Sequence, residues 1–399
     1  DSASGAARPM PMPAGTAIST VRALGNGTAL IATTNGEDVA ELWFSDGNTV
    51  QRVLQDTRST SEGWGQDMWR FTRLANGTTL FTADDGVSGL RLWCSDGTAA
   101  GTHVLTTEVA VAGNDSLHPW SITPVGENAG LFAADEDIGM STLWVTDGTA
   151  AGTRWLYGSA PVDEPMNPGG FTPLDDGRVV FVATDPAHGM EVWITDGTAA
   201  GTQMVRDITP GQDDTYPQHL VALAGGKALF LSDSTLWCTD GTEAGTVAVM
   251  DFGNRLPTIT PLTGGRAMLS LSAAVQTAGL TTTIENRFWI TDGTSAGTIS
   301  LGTSNYHDYF YGRSGGSPGN FVQLSDNRIL FSNAGNNEGI EPWVTDGTAE
   351  GTHTLLDIAW GTQPIWGPQG FVALIPQSST PSSFQLLGTG RAFFTATGG

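Results

Sequence analysis

Apolar residues sit side by side at the centre of a string that recurs along the chain. It reads Leu42-Trp43-Phe44, Leu92-Trp93-Cys94, Leu143-Trp144-Val145 and Val192-Trp193-Ile194 in the first half. Leu236-Trp237-Cys238, Phe288-Trp289-Ile290 and Pro342-Trp343-Val344 follow. Successive side chains of a strand point to opposite faces. An apolar residue on each side of every tryptophan therefore predicts strands buried on both faces, as in a blade packed between two neighbours. A one-sided sheet would alternate apolar with polar.

Each string runs on into Ser/Thr-Asp-Gly, and all but the first copy add a second Gly-Thr, as in Thr195-Asp196-Gly197-Thr198 with Gly201-Thr202. The Asp and Gly predict a tight turn: the carboxylate can accept nearby backbone N–H groups and the glycine is free to take positive φ. A second apolar string precedes each of these, at Asn26–Thr34, Asn76–Asp84, Gly177–Asp185 and equivalents, with a last copy beginning at Gly390. The unit thus reads as four short strands, most cleanly Phe171–Leu174, Arg178–Ala183, Glu191–Thr195 and Thr202–Ile208. Turn residues separate them, and almost no stretch carries a helical period. Taken at the tryptophans, the steps are 50, 51, 49, 44, 52 and 54 residues. A strand-rich repeat of that length predicts an all-β fold, a β-propeller of four-stranded blades.

Eight copies of the second-strand string stand against seven of the tryptophan string, which favours eight blades over seven. In that reading residues 19–399 form one propeller domain. Segment Asp1–Ile18 closes the last blade, so that no sheet edge is left open. The alternative is seven blades with a surplus hairpin.

The repeat resembles the bacterial proteins described by the motif ELWxxDGT, over nearly the whole chain from about Ser19 to Gly399. The resemblance implies a propeller on secreted or cell-surface proteins and carries no catalytic residues to transfer. The Asp-Gly-Thr turn is also similar to the Asp-box turn of sialidase-type propellers, at a different spacing.

Composition narrows the partners. Seventeen Lys and Arg stand against 41 Asp and Glu, a formal net charge of −24. Nucleic acid and anionic membrane surfaces would be repelled. No apolar run is long enough for a membrane-spanning helix. The chain opens at Asp1, which a removed signal peptide would explain. Cys94 and Cys238 occupy the same strand position in units two and five. That is too far apart around a ring for the ~7 Å Cα separation of a disulfide, so both are expected as buried thiols.

Candidate chemistry lies in loops, which vary while the blades repeat. Trp64, Trp69, Trp120, Tyr216, Tyr306, Tyr309, Tyr311, Trp360 and Trp366 fall in the connections from one blade to the next. Rings there suit a sugar face or a protein partner; packing over the blade ends is the structural alternative. Carboxylates at the second-to-third-strand loops, Asp84, Asp85, Asp135, Asp137 and Asp185, suit calcium or simple solvation. No other cofactor is indicated. Asn26, Asn76 and Asn114 begin N-x-S/T sequons that a eukaryotic host would glycosylate. Two function classes remain: a non-catalytic extracellular module binding a glycan or protein partner, and a secreted propeller enzyme acting on a polysaccharide or similar polymer. The absence of a nucleophile elbow, phosphate loop or zinc motif favours the first.

Overall fold

A computed structural model describes residues 12–25, 28–34, 39–59, 71–84, 89–98, 100–106, 117–137, 140–157, 166–278, 281–309, 317–335, 339–359, 362–367, 370–387 and 391–397. The described residues contain strands and turns and no helix. Seven antiparallel sheets have four strands each, joined in chain order as a meander. In the fourth they are Gly169–Pro173, Val179–Asp185, Gly189–Thr195 and Gln203–Arg206. The hairpin Ser382–Leu386 with Ala392–Thr395 supplies the first two strands of an eighth unit. The fold is all-β and of the propeller class, and its sheets are the blades.

The chain divides into two compact units, Asp1–Tyr216 and Pro217–Gly399. The first holds blades one to four. The second holds blades five to seven and the eighth hairpin. Within each unit, core clusters lie between successive blades. Leu24, Leu30, Ala32 and Leu42 of blade one meet Phe81, Ala83 and Trp93 of blade two. Leu80, Leu92 and Cys94 on the other face of blade two meet Phe132 and Trp144 of blade three. The same division recurs at Val145 and Trp193, at Cys238 and Trp289, and at Ile290 and Trp343. Within the units, Trp93, Trp144, Trp193, Trp289 and Trp343 therefore face the preceding blade, and Cys94, Val145, Cys238 and Ile290 face the following one, so the adjacent apolar pair buries both faces. Full burial of such a side chain contributes roughly 1.5–3 kcal/mol, which makes each interface a substantial part of the fold's stability.

Cys94 and Cys238 are both buried and unbridged. Burial pushes the Cys94 thiol up to about 11 and raises Cys238 as well.

The Asp-Gly-Thr turn couples these interfaces to the sheet edge. In blade four, Asp196 Oδ1 accepts Thr198 N at 2.8 Å and Thr198 Oγ1 at 2.7 Å. Thr195 Oγ1 accepts Gly197 N at 3.0 Å and pairs with Thr202 Oγ1 at 2.7 Å. Gly197 has φ +88°, and a Cβ there would come within 3.2 Å of Val125 in blade three. Gly201 serves a different purpose, since a Cβ there would lie 2.2 Å from Asp196 Oδ1. The first glycine lets the turn fold against its neighbour. The second makes room for the carboxylate.

Three features depart from the simple repeat. Blade six has strands Arg266–Ala278, Thr281–Thr291 and Ile299–Tyr309, longer than their counterparts elsewhere. An added hairpin, Thr362–Gly367 with Gly370–Pro376, precedes the eighth unit. The first strand opens at Ala17, so Ala17 and Ile18 belong to blade one; residues 1–11 of the expected closing segment lie outside the described residues.

Candidate functional site

In blades two, three, four and seven the connection returning from the outer strand is pinned to the third strand of the blade it leaves. In blade seven the pin is Glu341, two residues before Trp343 and fully buried. Its Oε1 accepts Ser379 N at 3.0 Å, and its Oε2 accepts Ile358 N at 3.0 Å and Ser379 Oγ at 2.7 Å. Glu191 holds the same place in blade four, where it accepts the Thr215 hydroxyl. Burial raises its pKa, against the lowering effect of Thr215 and the backbone amides of Ile208 and Thr209. Backbone bonds complete the clamp, from Asn167 to Ser141 O, Thr215 to Met190 O and Thr380 to Ile340 O.

The pinned connections deliver the chain to a strained start of the next inner strand. The sequence there reads His118-Pro119-Trp120-Ser121-Ile122, and again as Asn167–Phe171, Tyr216–Leu220, Ser317–Phe321 and Thr380–Phe384. His118, Asn167, Tyr216 and Thr380 each precede a proline, yet have φ of 41°, 45°, 48° and 44°. Ser121, His219, Asn320 and Ser383 are also left-handed, three residues further on in their repeats. Each start carries a register shift, as between Gly169 and Thr172. Non-glycine residues in this region cost of order 1–3 kcal/mol each, and the pinned connection holds them there. Repetition in five units makes the kink part of the scaffold. The side chains presented on it differ from blade to blade.

At blade three the kink presents Trp120, and immediately before blade five it presents Tyr216. They are 38% and 56% exposed. Trp120 opens the strand Pro119–Val125, and its Nε1 donates to Asp135 Oδ1 at 3.4 Å. The Ser141 hydroxyl also donates to that oxygen. Ser141 is fixed in turn, its N donating to Asn167 Oδ1 at 3.0 Å. A Cβ on Gly169, at the start of the next inner strand, would stand 4.0 Å from Trp120 Cη2. The ring is thus set by its polar edge and left open beside a residue without a side chain. Tyr216 is hydrogen-bonded to Asp214, which raises the phenol's pKa. Asp214 is itself fixed by Met190 N at 2.7 Å.

The other expected aromatics scatter. Tyr306 and Tyr309 are not in a connection but on the outer strand of blade six, opposite Ile284 and Thr281. The threonine-rich stretch Thr281–Thr283 extends the ladder past the point where the repeat ends it. Trp366 likewise lies on a strand, opposite Phe371 in the added hairpin. Trp64, Trp69, Tyr311 and Trp360 lie outside the described residues.

The candidate calcium carboxylates are spread over three blades. Asp84 ends a second strand of blade two, Asp135 holds Trp120 and Ser141, and Asp185 accepts Ala187 N at 2.6 Å and pairs with His188 Nδ1 at 2.9 Å. Asp137 is on the second strand of blade three, and Asp85 lies outside the described residues. Among the described residues no three His, Cys, Asp or Glu side chains converge as a metal-ligand set. Asn76 is exposed in its turn, with Oδ1 accepting Thr78 N at 3.0 Å; Asn26 and Asn114 lie outside the described residues.

No family model matches the chain, and no curated protein does. Solved structures resemble it weakly. Prolyl oligopeptidase B from Galerina marginata is 11% identical with a TM-score of 0.42, over 83% of this chain and 47% of that one. A prolyl endopeptidase is 12% identical with a TM-score of 0.40, over 89% and 53%. The chain therefore spans about half the length of these peptidases. Penicillium chrysogenum α-L-arabinanase is 14% identical with a TM-score of 0.30, over 63% and 86%. At these identities and scores, none of the likenesses speaks to activity. No helix of the described residues is long and apolar enough to cross a membrane.

The x-Pro-x-x-apolar start stands in the sequence as five copies, but a residue before proline ordinarily favours the extended region, so the left-handed kink has no signal there. The pinning role of Glu191 and Glu341 has none either, because it depends on a returning connection.

Proposed function

We propose that this chain is a non-catalytic binding module, acting outside the cell or at its surface, whose ligand is a glycan laid on exposed rings at the inner-strand starts. Trp120 is the principal platform and Tyr216 a second one. The supporting observation is the mounting of Trp120: a large ring, part exposed, held at its indole N–H by Asp135 on a kink that the scaffold keeps rigid. A fixed ring loses little conformational freedom on binding, so its contact surface converts efficiently into affinity. The high negative charge keeps the module soluble and away from nucleic acid and anionic lipid.

A glycan array with the wild-type chain, repeated with Trp120→Ala, tests this reading. Loss of one stacking ring costs about 1–3 kcal/mol, a ten- to hundredfold weakening. The variant should lose that affinity and keep the wild-type melting curve. A variant that binds equally well, or that fails to fold, removes Trp120 as a platform. Shortening of the polymer on incubation would show the enzyme reading instead.

A further inference from the structure

The two candidate rings at inner-strand starts, Trp120 and Tyr216, each have a carboxylate at their polar edge. Trp120 is bound to Asp135 and Tyr216 to Asp214. Asp135 makes both its described bonds through Oδ1, so Oδ2 has no hydrogen-bond partner among the described residues. A carboxylate at the edge of an exposed ring suits a cation that reaches from the ring's face to that edge: the ring quadrupole attracts positive charge, and the carboxylate accepts its N–H donors. A uronic acid or sulfated sugar would meet like charge at both rings, within a chain of net charge −24. A neutral sugar would stack but leave Asp135 Oδ2 to water.

From this pairing we infer that the glycan bound at Trp120 carries free amino groups, an amino sugar in its unacetylated, cationic form. The inference rests on the reading of Trp120 as a sugar platform. The pyranose lies on the ring, and its ammonium group takes Asp135 Oδ2. Asp214 beside Tyr216 serves the same purpose at the second ring. N-acetylation removes the charge and the donors together, so the acetylated sugar is rejected. The interaction is electrostatic and exposed, and its strength falls as ionic strength rises.

Titration calorimetry with tetramers of glucosamine, N-acetylglucosamine and glucose, at low and at 0.5 M salt, tests it. For the wild type, the glucosamine tetramer should bind about tenfold or more tighter than either other tetramer at low salt, with the preference shrinking at high salt. Asp135→Asn keeps an acceptor for Trp120 Nε1 and Ser141, and should erase the preference, bringing the affinities for the glucosamine and glucose tetramers to within about twofold of each other. Trp120→Ala should weaken all three. Equal or tighter binding of the N-acetylated tetramer overturns the inference, and so does a preference that survives Asp135→Asn. Tighter binding of tetralysine than of the glucosamine tetramer would assign the site to basic peptide and overturn it too. Neutral binding without amine preference sinks this inference alone; no binding of any sugar sinks the glycan reading with it.

Discussion

Replacing Glu341 with alanine should be among the most damaging single changes in blade seven. The side chain is fully buried and accepts two backbone N–H groups and one hydroxyl. Alanine leaves the amides of Ile358 and Ser379 without their acceptor. Each buried donor stranded in this way costs about 1–3 kcal/mol, so the loss should be about 3–5 kcal/mol, with Ser379 Oγ free to find another partner. Glutamine keeps Oε1 as an acceptor but turns the other position into a donor, facing Ile358 N or Ser379. Glu341→Gln should therefore lose about half as much. Glu41→Ala should cost less than either, because its described partners are the half-exposed Arg52 and the Trp43 indole. Urea unfolding gives the ordering, and hydrogen exchange gives the place. The amides of Ile358 and Ser379 should exchange faster in Glu341→Ala, with the blade-seven strand Ile329–Gly335 less affected. A loss below 1 kcal/mol, or unchanged exchange at those two amides, would refute the pinning role.

Gly201→Ala should destabilise blade four by driving the Asp196 carboxylate off Thr198, and the penalty should shrink in an Asp196→Ala background, read as a double-mutant cycle in urea. The Thr294 hydroxyl and amide lower the pKa of Asp292, and those of Thr348 lower that of Asp346. Folding keeps these groups ionised, so their contribution is present above the unfolded value of about 3.9 and is lost as pH falls through the lower folded values. NMR titration should show both below 3.9, and Asp292→Asn should flatten the acid limb of the stability curve. Glu191 has the opposite sign: its raised pKa costs stability as pH rises above about 4.3 toward its folded value. Glu191→Gln should therefore gain relative to wild type as pH rises above about 4.3, in paired melts. Thiol titration should find neither Cys94 nor Cys238 reactive in the folded chain and both reactive in denaturant.

Blade architecture was legible because adjacent residues report on opposite faces. Trp193 and Ile194 are both apolar, and the structure buries one against blade three and places the other on the opposite face. The turn was equally legible at Asp196 and Gly197. The reason for Gly201 was not, since its contact with the carboxylate exists only once the turn has closed. Left-handed conformations at His118 and Tyr216 were hidden because residue type points to glycine and asparagine for that region. A glutamate reads as a surface residue, yet Glu341 is buried by a segment 38 positions along the chain. Sequence pattern puts Tyr309 in a loop because polar residues such as Thr281–Thr283 weaken the strand signal, although their backbone pairs with the strand Ile299–Tyr309. For the candidate site, sequence found the rings of Trp120 and Tyr216 and named Asp135 as a calcium carboxylate; that Asp135 fixes Trp120 shows only once the first and second strands of blade three pair.

The most direct measurement of the proposed role follows a bound polymer over time. An amino-sugar polysaccharide of defined length should be retained by the immobilised chain, released by high salt, and recovered after days at its original length by size-exclusion chromatography. The Trp120→Ala chain should retain markedly less of it. A polymer that is not retained, or that comes back shortened, would contradict a non-catalytic binding module.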